Sequence, residues 1–296
     1  MWGELFALLA AIAFALSTVL SRVFMVGGPA RPPVLPEVGV LASMMTNVLA
    51  FTMLASVELA QGAARQLTPG SALLFMIGGI CGTLIGRNLA YISVLRIGPS
   101  RSTAVRLSNT LFAALFGLLW LRELPRPSQA VGAVLITVGL WMVLQNRQGE
   151  EGHSVDVRGV IAALGAALAF AFGDSARRVA LGVTPFPMVG ASIGATTALC
   201  AQVFWLRSRG LRAYLLRFSW RSDVLGSALF NTLAILLLFL ALQRAPVANV
   251  AVLYNLQVLL VITLSRWILR GDEQIGIRLL LGSVVCVAGT LGVLLG

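Results

Sequence analysis

The stretch GELFALLAAIAFALSTVLSRV, Gly3 to Val23, returns 156 residues later as GVIAALGAALAFAFGDSARRV, Gly159 to Val179. Ten of the 21 paired positions are identical, among them a phenylalanine and an arginine that alanine-rich helices do not share by composition alone. Matches at an offset of 150 also join the ends of the two halves: Gly132, Val134, Gly139, Val143 and Leu144 pair with Gly282, Val284, Gly289, Val293 and Leu294. This self-similarity predicts a duplicated architecture.

The chain is too apolar for a water-soluble domain. Of its 296 residues, 58% are hydrophobic and 11% are charged, and the mean hydropathy is +0.91. A membrane-spanning helix needs roughly 20 mostly apolar residues, and the sequence offers ten such runs. We predict helices at 2–24, 37–58, 71–93, 99–121, 127–146, 159–181, 185–206, 223–243, 246–269 and 275–296.

The most polar break, QNRQGEEGHSVDVR, spans Gln145 to Arg158 and leaves five predicted helices on each side. A five-helix unit enters the membrane on one side and leaves on the other, so its second copy must be inverted. The sequence therefore predicts an all-α integral membrane protein with ten transmembrane helices, arranged as two inverted five-helix repeats at 1–146 and 159–296 with a polar linker at 147–158. Inverted repeats are typical of secondary transporters, whose substrate site lies between the halves near the midplane.

The residue content argues against an enzyme. His153, in the polar break, is the single histidine of the sequence, which removes His-based metal sites and Ser-His-Asp chemistry. No nucleotide-binding glycine pattern follows a strand-like run. The formal charge of +11 comes from arginine alone, and basic loops of membrane proteins contact anionic headgroups. We expect a small-molecule substrate and the lipid bilayer as partners, no nucleic acid, no metal or other cofactor, and a monomer or homodimer.

Three longer stretches resemble a known family. They are LAYISVLRIGPSRSTAVRLSNTLFAALFGLLWLREL (Leu89 to Leu124), VGAVLITVGLWMVL (Val131 to Leu144) and the weaker echo LALQRAPVANVAVLYNLQVLLVITLSRWILRGDE (Leu240 to Glu273). They resemble the drug/metabolite transporter superfamily, specifically its ten-helix EamA-type members. The resemblance implies a multi-pass protein of the inner or plasma membrane that exports amino acids or other small metabolites. It also implies cytoplasmic termini, whereas the arginine bias of the loops predicts external ones.

Four arginines fall within GRNLAYISVLRIGPSRSTAVRLSN, Gly86 to Asn109. Gly98-Pro99 is a turn signal, so we expect Arg96 and Arg101, on either side of it, to anchor this connection at the headgroups.

The other two, Arg87 and Arg106, lie at similar depth if the turn joins antiparallel helices, about 10–15 Å from it at 1.5 Å per residue. A charge at that depth costs about 2.5 kcal/mol or more unless it snorkels, pairs or faces a wet cavity. Three interpretations stay open: the two arginines bind substrate, set the potential of a cavity without touching substrate, or snorkel. A cationic cavity suits a carboxylate or another anion. The predicted substrate-binding residues are Arg87, Tyr91, Arg106 and Asn109, with Tyr254, Asn255 and Gln257 from the second half. For these last three, hydrogen bonding between helices is the alternative to substrate contact.

Asp174, in FGDSARR, is the acid that lies well inside an apolar run. It has three interpretations: a structural or gating pair with Arg177 or Arg178 on the same helix, a proton carrier, or a substrate contact. We group Arg22, Asp174 and Arg178 as gating or proton-coupling residues, since Arg22 and Arg178 are repeat mates.

Other features have packing interpretations. Small-residue stripes at Ala7, Ala11 and Ala15, and at Ala163, Ala167 and Ala171, predict close helix contacts, as does the spacing of Gly78, Gly82 and Gly86. Packing is also favoured for Asn47 and Asn231, and RSRGLRAYLLRFSWRS, Arg207 to Ser222, predicts an interfacial amphipathic segment.

The function favoured by the sequence is a secondary active exporter of small amphipathic metabolites, above all amino acids, working by alternating access. The alternatives are a carrier of organic anions or phosphorylated metabolites, and a membrane protein that handles lipids or signals without transport.

Overall fold

All the regular secondary structure in the residues that the computed structural model describes is helical. These residues are 2–27, 32–121, 127–145, 156–210, 221–242, 244, 250, 253–269 and 276–295. Most of the predicted linker 147–158 and of the predicted amphipathic segment lie outside them.

The helices follow the apolar runs of the sequence closely. They are α1 (Trp2–Val26), α2 (Pro36–Ala60), α3 (Ala63–Gln66), α4 (Pro69–Gly78), a π-helical segment (Gly79–Gly86), α5 (Arg87–Ile97), α6 (Pro99–Arg106), α7 (Asn109–Leu121), α8 (Pro127–Leu144), α9 (Val157–Val183), α10 (Pro187–Ser208), α11 (Ser222–Leu242), α12 (Gln257–Ile268) and α13 (Ile277–Leu295). Proline suits the first helical position because it lacks an N–H that would be unpaired there. It starts the helices at Pro36, Pro69, Pro99, Pro127 and Pro187.

Seven helices within the described ranges are long and apolar enough to cross a membrane. They are Trp2–Val26, Pro36–Ala60, Pro69–Ile97, Pro127–Leu144, Val157–Val183, Pro187–Ser208 and Ser222–Ala241, with shorter apolar helices at Leu253–Ile268 and Ile277–Val293. The predicted span 99–121 is instead two short helices, α6 and α7, and the predicted span 246–269 is described as a helix from Leu253.

The predicted turn at Gly98-Pro99 is present. Gly98 has a φ of +82°, which glycine adopts without the Cβ clash that other residues meet. α5 therefore ends at Ile97, and the chain reverses directly into α6.

The first and last helices of each half pack in a symmetric way. α1 contacts α11, while α9, the repeat mate of α1, contacts α4, the π-helical segment and α5. α2 packs on α10, and α8 packs on α13. Ser17 and Ser227 make the α1–α11 contact reciprocal, because the hydroxyl of each donates to the backbone carbonyl of the other, at 2.8 and 2.9 Å.

Four glycines bring the backbones of α8 and α13 into contact. A Cβ on Gly132 would lie 2.5 Å from the carbonyl oxygen of Gly289, and one on Gly139 would lie 2.6 Å from that of Gly282. In the sequence repeat, Gly132 pairs with Gly282 and Gly139 with Gly289. Gly132 therefore touches the repeat mate of Gly139, and Gly139 touches the repeat mate of Gly132. A two-fold axis between the two copies produces this relation.

The packing predictions for small residues are confirmed. All six alanines of the two stripes are buried, with at most 3% of any exposed. Gly82 packs on α9, where a Cβ on Gly173 would lie 2.7 Å from the Gly82 nitrogen. The GxxxG spacing thus allows the π-helical segment to lie directly against α9.

Candidate functional site

Arg87 is the first residue of α5 and lies inside the Pro69–Ile97 span. Its Nη1 donates to the hydroxyl of Ser43 on α2 at 3.0 Å and to Oδ1 of Asn231 on α11. Its buried Nε has no hydrogen-bond partner. The side chain thus connects three helices through neutral groups and keeps one donor free.

Behind Arg87 lies a buried polar network between α2 and α11. Asn231 Nδ2 donates to Asn47 Oδ1 at 3.4 Å, and the Thr232 hydroxyl donates to the same oxygen at 2.7 Å. The packing interpretation of Asn47 and Asn231 was therefore incomplete, because both belong to the network that holds Arg87. Polar residues in apolar helices were the visible signal, but only the fold shows that α2 and α11 bring them to α5.

Arg106 ends α6 at the point where the fourth predicted span breaks. Here the backbone makes i→i−3 hydrogen bonds, from Leu107 to Ala104 and from Ser108 to Val105, both at 3.1 Å. The matching region of the second half is also interrupted, by a turn at Leu256 between Leu253–Asn255 and α12.

The guanidinium of Arg106 has few partners. Its Nη2 donates to the Thr103 hydroxyl at 3.2 Å, and its buried Nε has no hydrogen-bond partner. Within the described part of the chain, neither Arg106 nor Arg87 forms an ion pair with an acid.

Four of the predicted site residues come together. Arg87 and Arg106 lie within electrostatic range of each other and of both Tyr91 and Tyr254. Tyr91 is 6% exposed, and its hydroxyl lies within hydrogen-bonding reach of the Arg87 guanidinium. Phe14 of α1 packs edge-on against the Tyr254 ring, with centroids 5.2 Å apart. The cluster therefore combines two cations, spare hydrogen-bond donors and aromatic rings, and draws on both halves of the chain.

The other predicted binding residues differ in their placement. Gln257 adjoins the Tyr254 side chain. Asn109 starts α7 and accepts a hydrogen bond from the Thr110 hydroxyl at 3.3 Å. Asn255 is buried and donates to the Thr290 hydroxyl of α13 at 3.2 Å. Its amide nitrogen thus makes the interhelical bond that was the alternative to substrate contact.

Asp174 forms its ion pair with Arg177, at 2.9 Å. Arg177 also donates to the Gly78 carbonyl at 2.9 Å and to the Thr83 hydroxyl at 2.8 Å, so it ties α9 to the end of α4 and to the middle of the π-helical segment. The Asp174 side chain is 62% exposed although it lies well within α9, and it falls within electrostatic range of Tyr254. Sequence reasoning gave Arg177 as one candidate partner but missed its contacts with the third span.

The two arginines grouped with Asp174 do not approach it together. Arg178 is exposed on α9. Arg22 donates to the backbone carbonyls of Val94, at 3.2 Å, and of Leu95, in the last turn of α5. A cation at a helix C-terminus is stabilised by the helix dipole. These contacts connect α1 to the C-terminal end of α5.

The two arginines next to the turn have different environments. Arg96 is exposed and pairs with Asp156 at 2.9 Å, and its hydrogen bond lowers the pKa of the Asp156 carboxyl below its usual value. Arg101 is fully buried at 0% exposure. The prediction that Arg101 contacts headgroups is therefore wrong, because α6 packs among α5, α8, α9 and α12.

The comparisons with known proteins agree with the helical architecture and with the duplication. The model of the EamA-like transporter family matches residues 1–145 and again residues 157–295. The chain belongs to this family. It is thus a multi-pass membrane protein of a family of small-molecule transporters.

Sixteen chains of solved structures also match. One, described in the words "Crystal structure of protein", has a TM-score of 0.57 and 18% sequence identity, and the match covers 98% of this chain and 94% of that chain. At that identity the likeness shows the fold alone. None of the curated proteins matches the chain.

Proposed function

We propose that the chain is a secondary active transporter that exports small amphipathic metabolites bearing a carboxylate, such as amino acids, across the inner or plasma membrane by alternating access. The observation that carries the proposal is the pair Arg87 and Arg106, each with a buried Nε that lacks a hydrogen-bond partner. Buried donors are normally satisfied, so two spare guanidinium donors within electrostatic range of each other suit an arriving carboxylate.

The placement of the cluster supports transport. Arg87 and Tyr91 come from the third span, Arg106 from the interrupted fourth, and Tyr254 from the corresponding interrupted region of the second half. Sites at broken helices between two repeats are typical of secondary transporters. Arg87, Tyr91, Arg106, Asn109, Tyr254 and Gln257 are the proposed substrate-binding residues, with Asn255 supporting them through α13.

The helix packing supports an inverted repeat. We propose ten spans in two copies, 1–146 and 159–296, joined by the linker 147–158. The reciprocal glycine contacts of α8 with α13, and the exchange of partners between α1 and α9, are expected if an axis in the membrane plane relates the copies. Rocking of one copy against the other would expose the cluster to each side in turn.

The ion pair of Asp174 and Arg177 is the proposed gate. Asp174 lies within electrostatic range of Tyr254 and Arg177 within that of Arg87, and Arg177 also binds α4 and the π-helical segment that precede Arg87. π-Helical turns inside α-helices are often found at functional sites. Asp174 remains a candidate proton carrier. Arg22, through its contact with the last turn of α5, and Arg178, next to Arg177 on α9, complete the proposed gating group.

The test is substrate counterflow in sealed proteoliposomes, using labelled amino acids, sugar phosphates and nucleosides. We expect amino-acid exchange that is lost in Arg106→Ala and kept in Arg96→Ala, an exposed arginine outside the cluster. Exchange restricted to phosphorylated solutes would favour the carrier of organic anions instead. No exchange of any solute by folded protein would favour a lipid-handling or signalling role.

A further inference from the structure

We propose that the site selects substrates with a net negative charge over zwitterions of the same shape. This inference rests on the proposed function and ranks its substrates: a carboxylate without a compensating ammonium group binds more tightly than the amino acid of the same skeleton.

The charges around the cluster do not cancel. Arg87 is held by Ser43 and Asn231, and Arg106 by Thr103, all of which are neutral. Hydrogen bonds to neutral groups solvate a guanidinium but leave its charge in place.

The acid that faces the cluster is already paired. Asp174 forms its ion pair with Arg177 at 2.9 Å. Arg87, Arg106, Arg177 and Asp174 together are three cations and one anion, so the group carries two uncompensated positive charges.

The remaining described acids lie at helix ends. Glu58 accepts from the first N–H groups of α10, Asp156 pairs with Arg96, and Asp223 pairs with Arg221. Glu4 and Glu37 lie in the first turns of α1 and α2. The ion pairs of Asp156 and Asp223 are thus made with arginines outside the cluster.

We expect an anion and a zwitterion to bind this site with different affinities. The carboxylate of either one can bind the spare guanidinium donors. The ammonium of an amino acid, however, must then lie a few ångströms from the same two cations, where like charges repel in a medium that screens weakly. A substrate without the ammonium keeps the favourable contact and avoids the repulsion.

The rest of the cluster suits a neutral group in place of the ammonium. The Tyr91 hydroxyl, which adjoins Arg87, can both donate and accept, so it can pair with a substrate hydroxyl. The edge-on pair of Phe14 and Tyr254, both partly exposed, offers apolar surface to the body of the substrate.

The experiment compares amino acids with their 2-hydroxy acids, which replace the ammonium by a hydroxyl and keep the skeleton. Binding of alanine against lactate, valine against 2-hydroxyisovalerate, and phenylalanine against phenyllactate is measured by calorimetry on the purified full chain at pH 7.5. Counterflow in proteoliposomes is run with the same pairs.

We expect the hydroxy acid to bind at least about tenfold more tightly in every pair that binds, a difference of about 1.4 kcal/mol. Arg106→Gln should bring the ratio toward one, whereas Arg106→Lys should keep it, because lysine retains the charge but not the planar fork. Arg96→Gln, which removes an exposed arginine, should leave the ratio unchanged.

The outcomes separate this inference from the proposed function. If the amino acid binds as well as or better than its hydroxy acid and is exchanged, charge selection is refuted and carboxylate transport stands. If the ratio persists in Arg106→Gln, the selection does not arise from this charge and the inference also fails. If no member of any pair binds or is exchanged, both proposals fall.

Discussion

Replacing Asn231 by aspartate tests whether the charge of Arg87 attracts the substrate. The Asn231 carbonyl oxygen accepts from Arg87 Nη1, so Asn231→Asp places a carboxylate of nearly the same shape at the same position. The new carboxylate would neutralise Arg87 from the α11 side, opposite the spare Nε.

The size of the effect follows from the geometry. Acceptors about 3 Å from different nitrogens of one guanidinium are roughly 6 Å apart, and at an effective dielectric constant of about 20 two like charges at that distance repel by about 3 kcal/mol. The substrate carboxylate should therefore bind about 100-fold more weakly to Asn231→Asp.

Asn231→Leu is the matched control. It removes the same hydrogen bond without adding charge, so it should cost about 1.5–3 kcal/mol of unfolding free energy but reduce affinity much less than the aspartate. Affinity is measured by calorimetry with the tightest-binding carboxylate, and stability by thermal unfolding in detergent. Equal losses of affinity in the two variants, or no loss in Asn231→Asp, would refute the electrostatic account.

Three further predictions concern helix packing, the proposed gate and pH. Gly289→Ala should lower the unfolding free energy by about 1–3 kcal/mol, because the added Cβ would lie 2.6 Å from the Ile136 nitrogen. Gly182→Ala, whose Cβ would have nothing within 4 Å, should leave that free energy unchanged or raise it in the same thermal unfolding assay. Arg177→Gln should lower stability by about 2–3 kcal/mol through loss of its bonds to Asp174, Gly78 and Thr83, and the exposed neighbour Arg178→Gln by under about 0.5 kcal/mol; similar losses would contradict the assigned contacts. Because the pKa of Asp156 is lowered in the folded protein, its ion pair adds stability above the unfolded pKa of about 3.9 and loses it as the pH falls through the folded value. The excess Tm of wild type over Asp156→Asn should thus be constant above about pH 5 and shrink toward pH 3, and a difference that grew on acidification would reverse the assigned sign.

Local sequence patterns predicted the parts of the site that a single helix or hairpin determines. The depth of Arg87 and Arg106 followed from their spacing about the Gly98-Pro99 turn, because a helix advances a fixed distance per residue. The pairing of Asp174 with Arg177 followed from their separation of three residues on one helix. Predicting the cluster of Arg87, Tyr91, Arg106 and Tyr254 also required the sequence repeat, which aligns the predicted helix 99–121 with the predicted helix 246–269.

What the sequence by itself determined is therefore the membrane class, the positions of most helices, the duplication, and the small-residue contacts, since hydropathy and spacing act along the chain. Tertiary structure alone decided which helices meet. It placed Asn231 on Arg87, turned Asn255 toward Thr290, buried Arg101 and gave Arg177 the carbonyl of Gly78. The physical reason is that every apolar helix in a membrane presents a similar surface to its neighbours, so the partner of a polar side chain depends on packing between distant segments and not on any local pattern.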